Sequence, residues 1–186
     1  MLLILADDSM GAAKKNKLQS GFTILEVLIA LGTLSILTAV LLPSWNRFLE
    51  KWRVAEAQSQ IYAALRTTLN TALKNRTVWQ FSIRETPSGK IEWAIHPQKE
   101  NPAAWQSLGS HSLNIDPADT TLHQKNSAYY IKFDFKGRLA SSTRTLTLTS
   151  SIAPSIKRCI IMSTALGTMR QSQEQPKPNS RGRYCY

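Results

Sequence analysis

Residues 22–42 read FTILEVLIALGTLSILTAVLL, an apolar run of 21 residues interrupted by one charge, Glu26, and by scattered Thr, Ser and Gly. As a helix it would reach ~30 Å, the thickness of one bilayer hydrocarbon core. Lys14, Lys15 and Lys17 precede it with no acid after Asp8, and Arg47, Lys51 and Arg53 follow it. The lysine cluster places the N-terminus on the cytoplasmic side. A secretory signal would carry a shorter apolar core ending in small residues at its cleavage site; this run ends Leu41-Leu42-Pro43, so the span is expected to stay in the mature protein. Pro43 removes a backbone hydrogen bond and is expected to kink or loosen the helix. Glu26 is the anomaly, because a carboxylate at the centre of a span costs about 2.5–3.5 kcal/mol, and less near an interface. Such an acid calls for a partner.

Ser20-Gly21-Phe22-Thr23-Ile24-Leu25-Glu26, preceded by lysines, resembles the cleavage and methylation motif of type IV prepilins and type II secretion pseudopilins. The resemblance implies that a prepilin peptidase cuts between Gly21 and Phe22 and methylates the new amine of Phe22. It assigns Thr23, Glu26 and Pro43 to assembly, Pro43 standing where pilins often carry a proline. A free ammonium at Phe22 of an entering subunit would then meet the Glu26 carboxylate of its neighbour inside a low-dielectric helix bundle, where attraction is strong and mispairing costly. An ordinary single-span anchor with a tolerated interfacial Glu shares the apolar run but not the spacing of lysines, Gly-Phe and Glu. The leader segment MLLILADDSM before Gly11 is apolar and acidic, unlike the short basic leaders of this family, which leaves Met10 as an alternative start.

The 186 residues suit one modest folded domain plus an anchoring segment. With 23 Lys+Arg against 12 Asp+Glu the formal net charge is +11. That balance favours polyanions such as nucleic acid or anionic lipid headgroups, and a solvated basic surface is the plainer alternative. The two cysteines, Cys159 and Cys185, form an even pair beside an export signal, which points to a disulfide in an oxidising compartment and not to a metal site.

Beyond Pro43 the apolar positions Trp45, Leu49, Trp52, Ala55, Tyr62, Leu65, Leu69 and Leu73 recur at three- and four-residue steps, predicting an amphipathic helix whose stripe packs under a sheet. After Asn75 the period becomes two. Trp79, Phe81 and Ile83 predict one strand, Ile91, Trp93 and Ile95 another, with Pro87-Ser88-Gly89 as their turn. Residues 97–124 read as a long loop holding at most short strands around Trp105–Leu108 and Thr120–His123. Tyr129, Ile131, Phe133 and Phe135, a Lys136-Gly137 turn, Thr145–Thr149 and Cys159–Met162 predict the late strands of an antiparallel head. FDFKGRL (133–139) and RCIIMSTALGTMR (158–170) resemble the late strands of the GspH/FimT group of minor pilins.

No catalytic constellation emerges. His96, His111 and His123 sit in loop-like or strand-edge contexts and read as surface histidines, neither HExxH nor a Gly-rich phosphate loop occurs, and the cysteines lack metal-ligand spacing. An enzyme is not expected, nor a cofactor. The tail is the second place of interest. Lys157, Arg158, Arg170, Lys177, Arg181 and Arg183 face one acid, Glu174, and the Pro, Asn, Ser and Gly among them suggest a flexible, extended loop. Such a loop can follow phosphates with Arg forks while Tyr184 or Tyr186 stacks on bases. A Cys159–Cys185 bridge would close it, contributing roughly 3–3.5 kcal/mol. Some FimT-like minor pilins take up DNA through an arginine-bearing C-terminal segment, which Arg181-Gly182-Arg183 resembles; solubility or contact with lipid and neighbouring pilins would need the same charge.

The expected architecture is α+β. It comprises a leader over 1–21, a membrane and polymerisation helix over 22–42, the amphipathic second half of that helix over 43–75, and an antiparallel head over 76–186. The expected role is a minor pilin or pseudopilin in the inner membrane, with its head in the periplasm and other pilins and the prepilin peptidase as partners. Membership of a type IV pilus and of a type II secretion pseudopilus are both open, and DNA uptake in natural transformation is the alternative function.

Overall fold

In the computed structural model the described residues are 21–109, 112–140, 142–163 and 167–186, with the side chains of 40–43 left aside. The leader with its lysines and Met10, His111, and residues 164–166 of the second resemblance lie outside them. The chain divides into two compact units, 1–42 and 43–186. Helix α1, Ile24–Asn75, is assigned without a break through Pro43.

In the second unit α1 turns one face inward: Glu50, Val54, Ala57, Gln58, Ile61, Ala64, Leu65, Thr68 and Ala72 are buried, at steps of three and four. This corrects the expected stripe in part: Leu65 is buried and Tyr62 and Leu69 pack against the core as expected, but the stripe's tryptophans do not. Trp45 and Trp52 are 58% and 65% exposed, and Leu73 is exposed as well. The large aromatics dominate any reading by periodicity, yet the buried face mixes Val54, Ile61 and Leu65 with small and polar residues. Gln58 Nε2 donates to the carbonyls of Cys159 (2.7 Å) and Ser172 (2.8 Å), which only a close approach allows. Lys74 sits in the last turn, favourable to the helix dipole. Arg76, at φ 51°, leaves the helix in the left-handed conformation common just past a C-terminus.

The head holds two antiparallel sheets among the described residues. The first has the order β3-β2-β1-β6-β5, from β1 (Trp79–Glu85), β2 (Ile91–Pro97), β3 (Gln106–Ser107), β5 (His123–Lys125) and β6 (Ala128–Phe133). The second has the order β4-β7-β8-β9, from β4 (Leu113–Ile115), β7 (Arg144–Ser150), β8 (Lys157–Met162) and β9 (Met169–Gln173). Alternation fixes register: Phe81 stands opposite Ile95 and Ile131, and Ile83 opposite Trp93 and Tyr129, so one face of the first sheet joins the core with α1. Leu146 opposite Ile160 does the same for the second sheet.

The β1–β2 hairpin turns where expected, Gly89 at φ 72° donating its N–H to Thr86 O at 2.8 Å. At the Lys136-Gly137 turn Gly137 takes φ 76°. Phe135, expected in the strand, is exposed and lies beyond the end of β6. Within 97–124 the structure adds β4, which alternation over three residues could not reveal, and starts β5 at His123, where the expected short strand ended.

Candidate functional site

The first candidate site lies in the N-terminal unit. Thr23 precedes the first helical residue, and its Oγ1 accepts the Glu26 N–H at 3.2 Å, while its carbonyl accepts the Val27 N–H at 3.2 Å. Thr-x-x-Glu is the spacing of a capping box, and Glu26 in the first turn also complements the helix dipole. Thr23 therefore has a local role, helix initiation, that its assignment to assembly did not anticipate. Around it Phe22 is 80% exposed, and Ile24, Leu25, Leu34 and Leu37, which together cover every side of the helix, are exposed. A helix apolar all round needs lipid or other helices about it. Its hydroxyls are satisfied within the helix. Thr33 donates to Ala30 O (2.9 Å), Ser35 to Leu31 O (2.7 Å) and Thr38 to Ser35 O (2.9 Å), so they add little cost in an apolar medium. By length and composition this segment is able to cross a membrane.

The second candidate site lies on the head. Cys159 and Cys185 are bonded, with Cα atoms 6.0 Å apart, and both are buried. The tail they hold is folded, in contrast to the extended, flexible loop expected. Asn179 organises it: its N–H donates to Arg183 O (2.8 Å), and its Oδ1 accepts from the N–H groups of Arg181 (2.9 Å) and Arg183 (3.0 Å). Gln175 N–H donates to Tyr184 O at 2.9 Å, and the Tyr184 N–H reaches back 65 residues to Asp119 Oδ1 at 3.0 Å.

This folding sorts the cations. Arg170, Arg181 and Arg183 line one cavity of about 460 Å³ together with Arg144, Asn179 and Tyr186, and no acid lines it. Arg144 escaped the sequence reading because it lies far from the tail in the chain. Cross-strand register brings it there: Thr145 opposes Ile161, which opposes Arg170. Its guanidinium donates to Thr121 O (2.8 Å) and to His123 Nε2 (3.0 Å). Burial, then the charges of Arg144 and Lys132, lower the His123 pKa, which keeps the ring neutral and accepting. Lys177 does not line the cavity; its carbonyl accepts the Tyr186 hydroxyl at 3.2 Å. Lys157, counted among the free charges, is held by Asp116 (2.5 Å) and by Asp119 (2.8 Å), which is itself only 1% exposed. Burial pulls the Lys157 pKa down, but its hydrogen bonds to both carboxylates outweigh that and leave it raised. Arg158 donates to Gln173 at 2.5 Å.

His96 is a correction: it lies within β2 and is buried, not on the surface. Its Nδ1 donates to Pro97 O at 2.9 Å, leaving Nε2 to accept the Ser82 hydroxyl at 2.9 Å. Among the described residues no group of His, Cys, Asp and Glu is placed to hold a metal ion.

No family model matches the chain, and no curated protein matches it. Among solved structures, the type IV minor pilin FimU of Pseudomonas aeruginosa is 14% identical with a TM-score of 0.49, over 67% of this chain and 92% of that one. The minor pseudopilin EpsH from the type 2 secretion system of Vibrio cholerae is 13% identical with a TM-score of 0.44, over 65% and 97%. These neighbours are of the two kinds that the N-terminal motif resembles.

Proposed function

We propose that the chain is a minor pilin or pseudopilin subunit, anchored in the inner membrane through residues 22–42 with its head in the periplasm, and assembled through that helix into a type IV pilus or a type II secretion pseudopilus. One observation supports this reading above others: a Thr23-capped helix, exposed on all sides, opens directly after Gly21-Phe22 and carries Glu26 as its single charge before Arg47. A prepilin peptidase would cut ahead of Phe22, and the freed amine would pair with Glu26 of the neighbouring subunit. Glu26→Gln tests the pairing. Gln serves equally at this capping position and keeps the shape, so the helix and its membrane insertion should survive while recovery in sheared filaments falls. Undiminished recovery would reject the ion pair.

DNA uptake is the second reading, favoured by four arginines around one cavity with no acid in its lining. Binding of duplex DNA by the full-length protein in detergent, followed against salt, distinguishes it. Arg181→Ala with Arg183→Ala should weaken binding and lower the salt slope by about 0.9 for each phosphate that is no longer neutralised. Unchanged affinity would remove this reading.

A further inference from the structure

The outward face of the first sheet carries a second groove of about 460 Å³, between the segment after β2 and the β5–β6 turn. Its chemistry is unlike that of the arginine cavity. Gln80, Gln98, Asn101 and Asn126 bring four amides to its lining, with Tyr130 and the Ser82–His96 pair on its floor. Gln98, Asn101 and Asn126 make no side-chain hydrogen bond within the described residues. An amide both donates and accepts, as a sugar hydroxyl does, whereas a phosphate oxygen only accepts and is better met by guanidinium. The Arg84 guanidinium lies 4.0 Å from the centroid of the Trp105 ring, and both residues line the groove. Arg84 itself is paired with Glu92 at 2.8 Å. The charges that remain in the lining are Lys125 and Lys132 against Glu100, a small positive excess.

The β5–β6 turn forms part of the rim. Asn126 and Ser127 take φ of 51° and 60°, the mirror-type two-residue hairpin in which glycine is favoured. Asn is itself favoured at the first position of such a turn, and here it brings an amide to the groove lining.

We propose that this groove binds an acidic saccharide. The amides and Tyr130 would meet its hydroxyls, the Trp105 indole a ring face, and Lys125 and Lys132 its carboxylate. Its volume falls in the ordinary range for ligand pockets, about 300–1,000 Å³. This site is independent of the arginine cavity and of assembly through the helix.

The probe is a short oligogalacturonate, titrated calorimetrically into the full-length protein in detergent micelles. Saturable binding is expected, weakened about tenfold or more by Asn101→Ala with Asn126→Gly, a pair that removes two amides and retains the turn. Arg181→Ala with Arg183→Ala should leave it unchanged. Should the first pair melt early, Gln98→Ala, on an exposed side chain, gives the same reading. Three results would overturn the proposal: no saturable binding by the wild type, equal loss in the arginine variant, which marks adsorption by charge alone, or displacement of the saccharide by duplex DNA, which makes nucleic acid the occupant.

Discussion

Gly167 takes φ 61° in so tight a place that a Cβ there would stand 1.9 Å from the carbonyl oxygen of Gly137. The obstacle is backbone, which cannot rotate away as a side chain would. Gly167→Ala should therefore destabilise the head by at least about 2 kcal/mol, from left-handed strain and displacement of the 134–138 turn together, read as a lowered melting temperature. His123 sets a different dependence. Its pKa is lowered below 6.5 by burial, Arg144 and Lys132, so on falling pH the unfolded chain takes up a proton that the folded head resists. Stability should decline from about pH 6.5 downward through the folded-state pKa, and His123→Gln should flatten that limb of the melting profile. Lys157 works at the other end, because its raised pKa keeps its contribution intact below 10.5 and loses it only as pH rises through the folded value. Little of this was legible residue by residue. Gln58, His96 and Lys157 are polar letters in the sequence, and only tertiary placement reveals that carbonyls, a serine and two carboxylates claim them.

The C-terminal tail has few apolar residues to hold it, and it is closed instead by a disulfide, the Asn179 turn and the Asp119 contact to Tyr184. Changing both Cys159 and Cys185 to Ala should cost roughly 3 kcal/mol on the chain-entropy account, measured by denaturant melting. It should also weaken any polyanion binding, since Arg181 and Arg183 would lose their fixed position beside Arg144 and Arg170. The cysteine pair could be read in the sequence from count and compartment alone; the folded course of the tail could not, because it depends on a partner at Asp119. Strands β1, β2, β6 and β7 were legible because each alternates over six or seven residues between clear turns, and β8 because it carries an apolar run, Cys159–Met162. Strand β4 has three residues and is defined by its pairing with β7, so local pattern carries too little signal. For α1 the period was legible and the phase only in part: Tyr62, Leu65 and Leu69 face the core, while Trp45, Trp52 and Leu73 do not. Trp45 and Trp52 outweigh alanine on any hydrophobic reading, yet Ala57, Ala64 and Ala72 join Val54, Ile61 and Leu65 on the face that the sheets pack upon.

The chain comprises a head, in which an amphipathic helix face packs under two sheets, and a separate N-terminal unit. That segment is apolar on every side, with its hydroxyls turned back on its own carbonyls and one acid in its first turn. Composition alone made the segment legible, and the Gly-Phe-Thr-x-x-Glu spacing gave it a proposed use; the capping bond from Glu26 to Thr23 is what the structure adds. That bond is made by the Glu26 backbone N–H, which any residue but proline would supply, so the proposed assembly role of the carboxylate must be tested where folding is silent. The most direct measurement is the intact mass of the chain extracted from native membranes. A polypeptide beginning at Phe22 and heavier by one methyl group is the predicted result. A polypeptide that still carries Gly21 and the residues ahead of it would leave no free amine for a neighbour's Glu26 to meet, and would contradict the account.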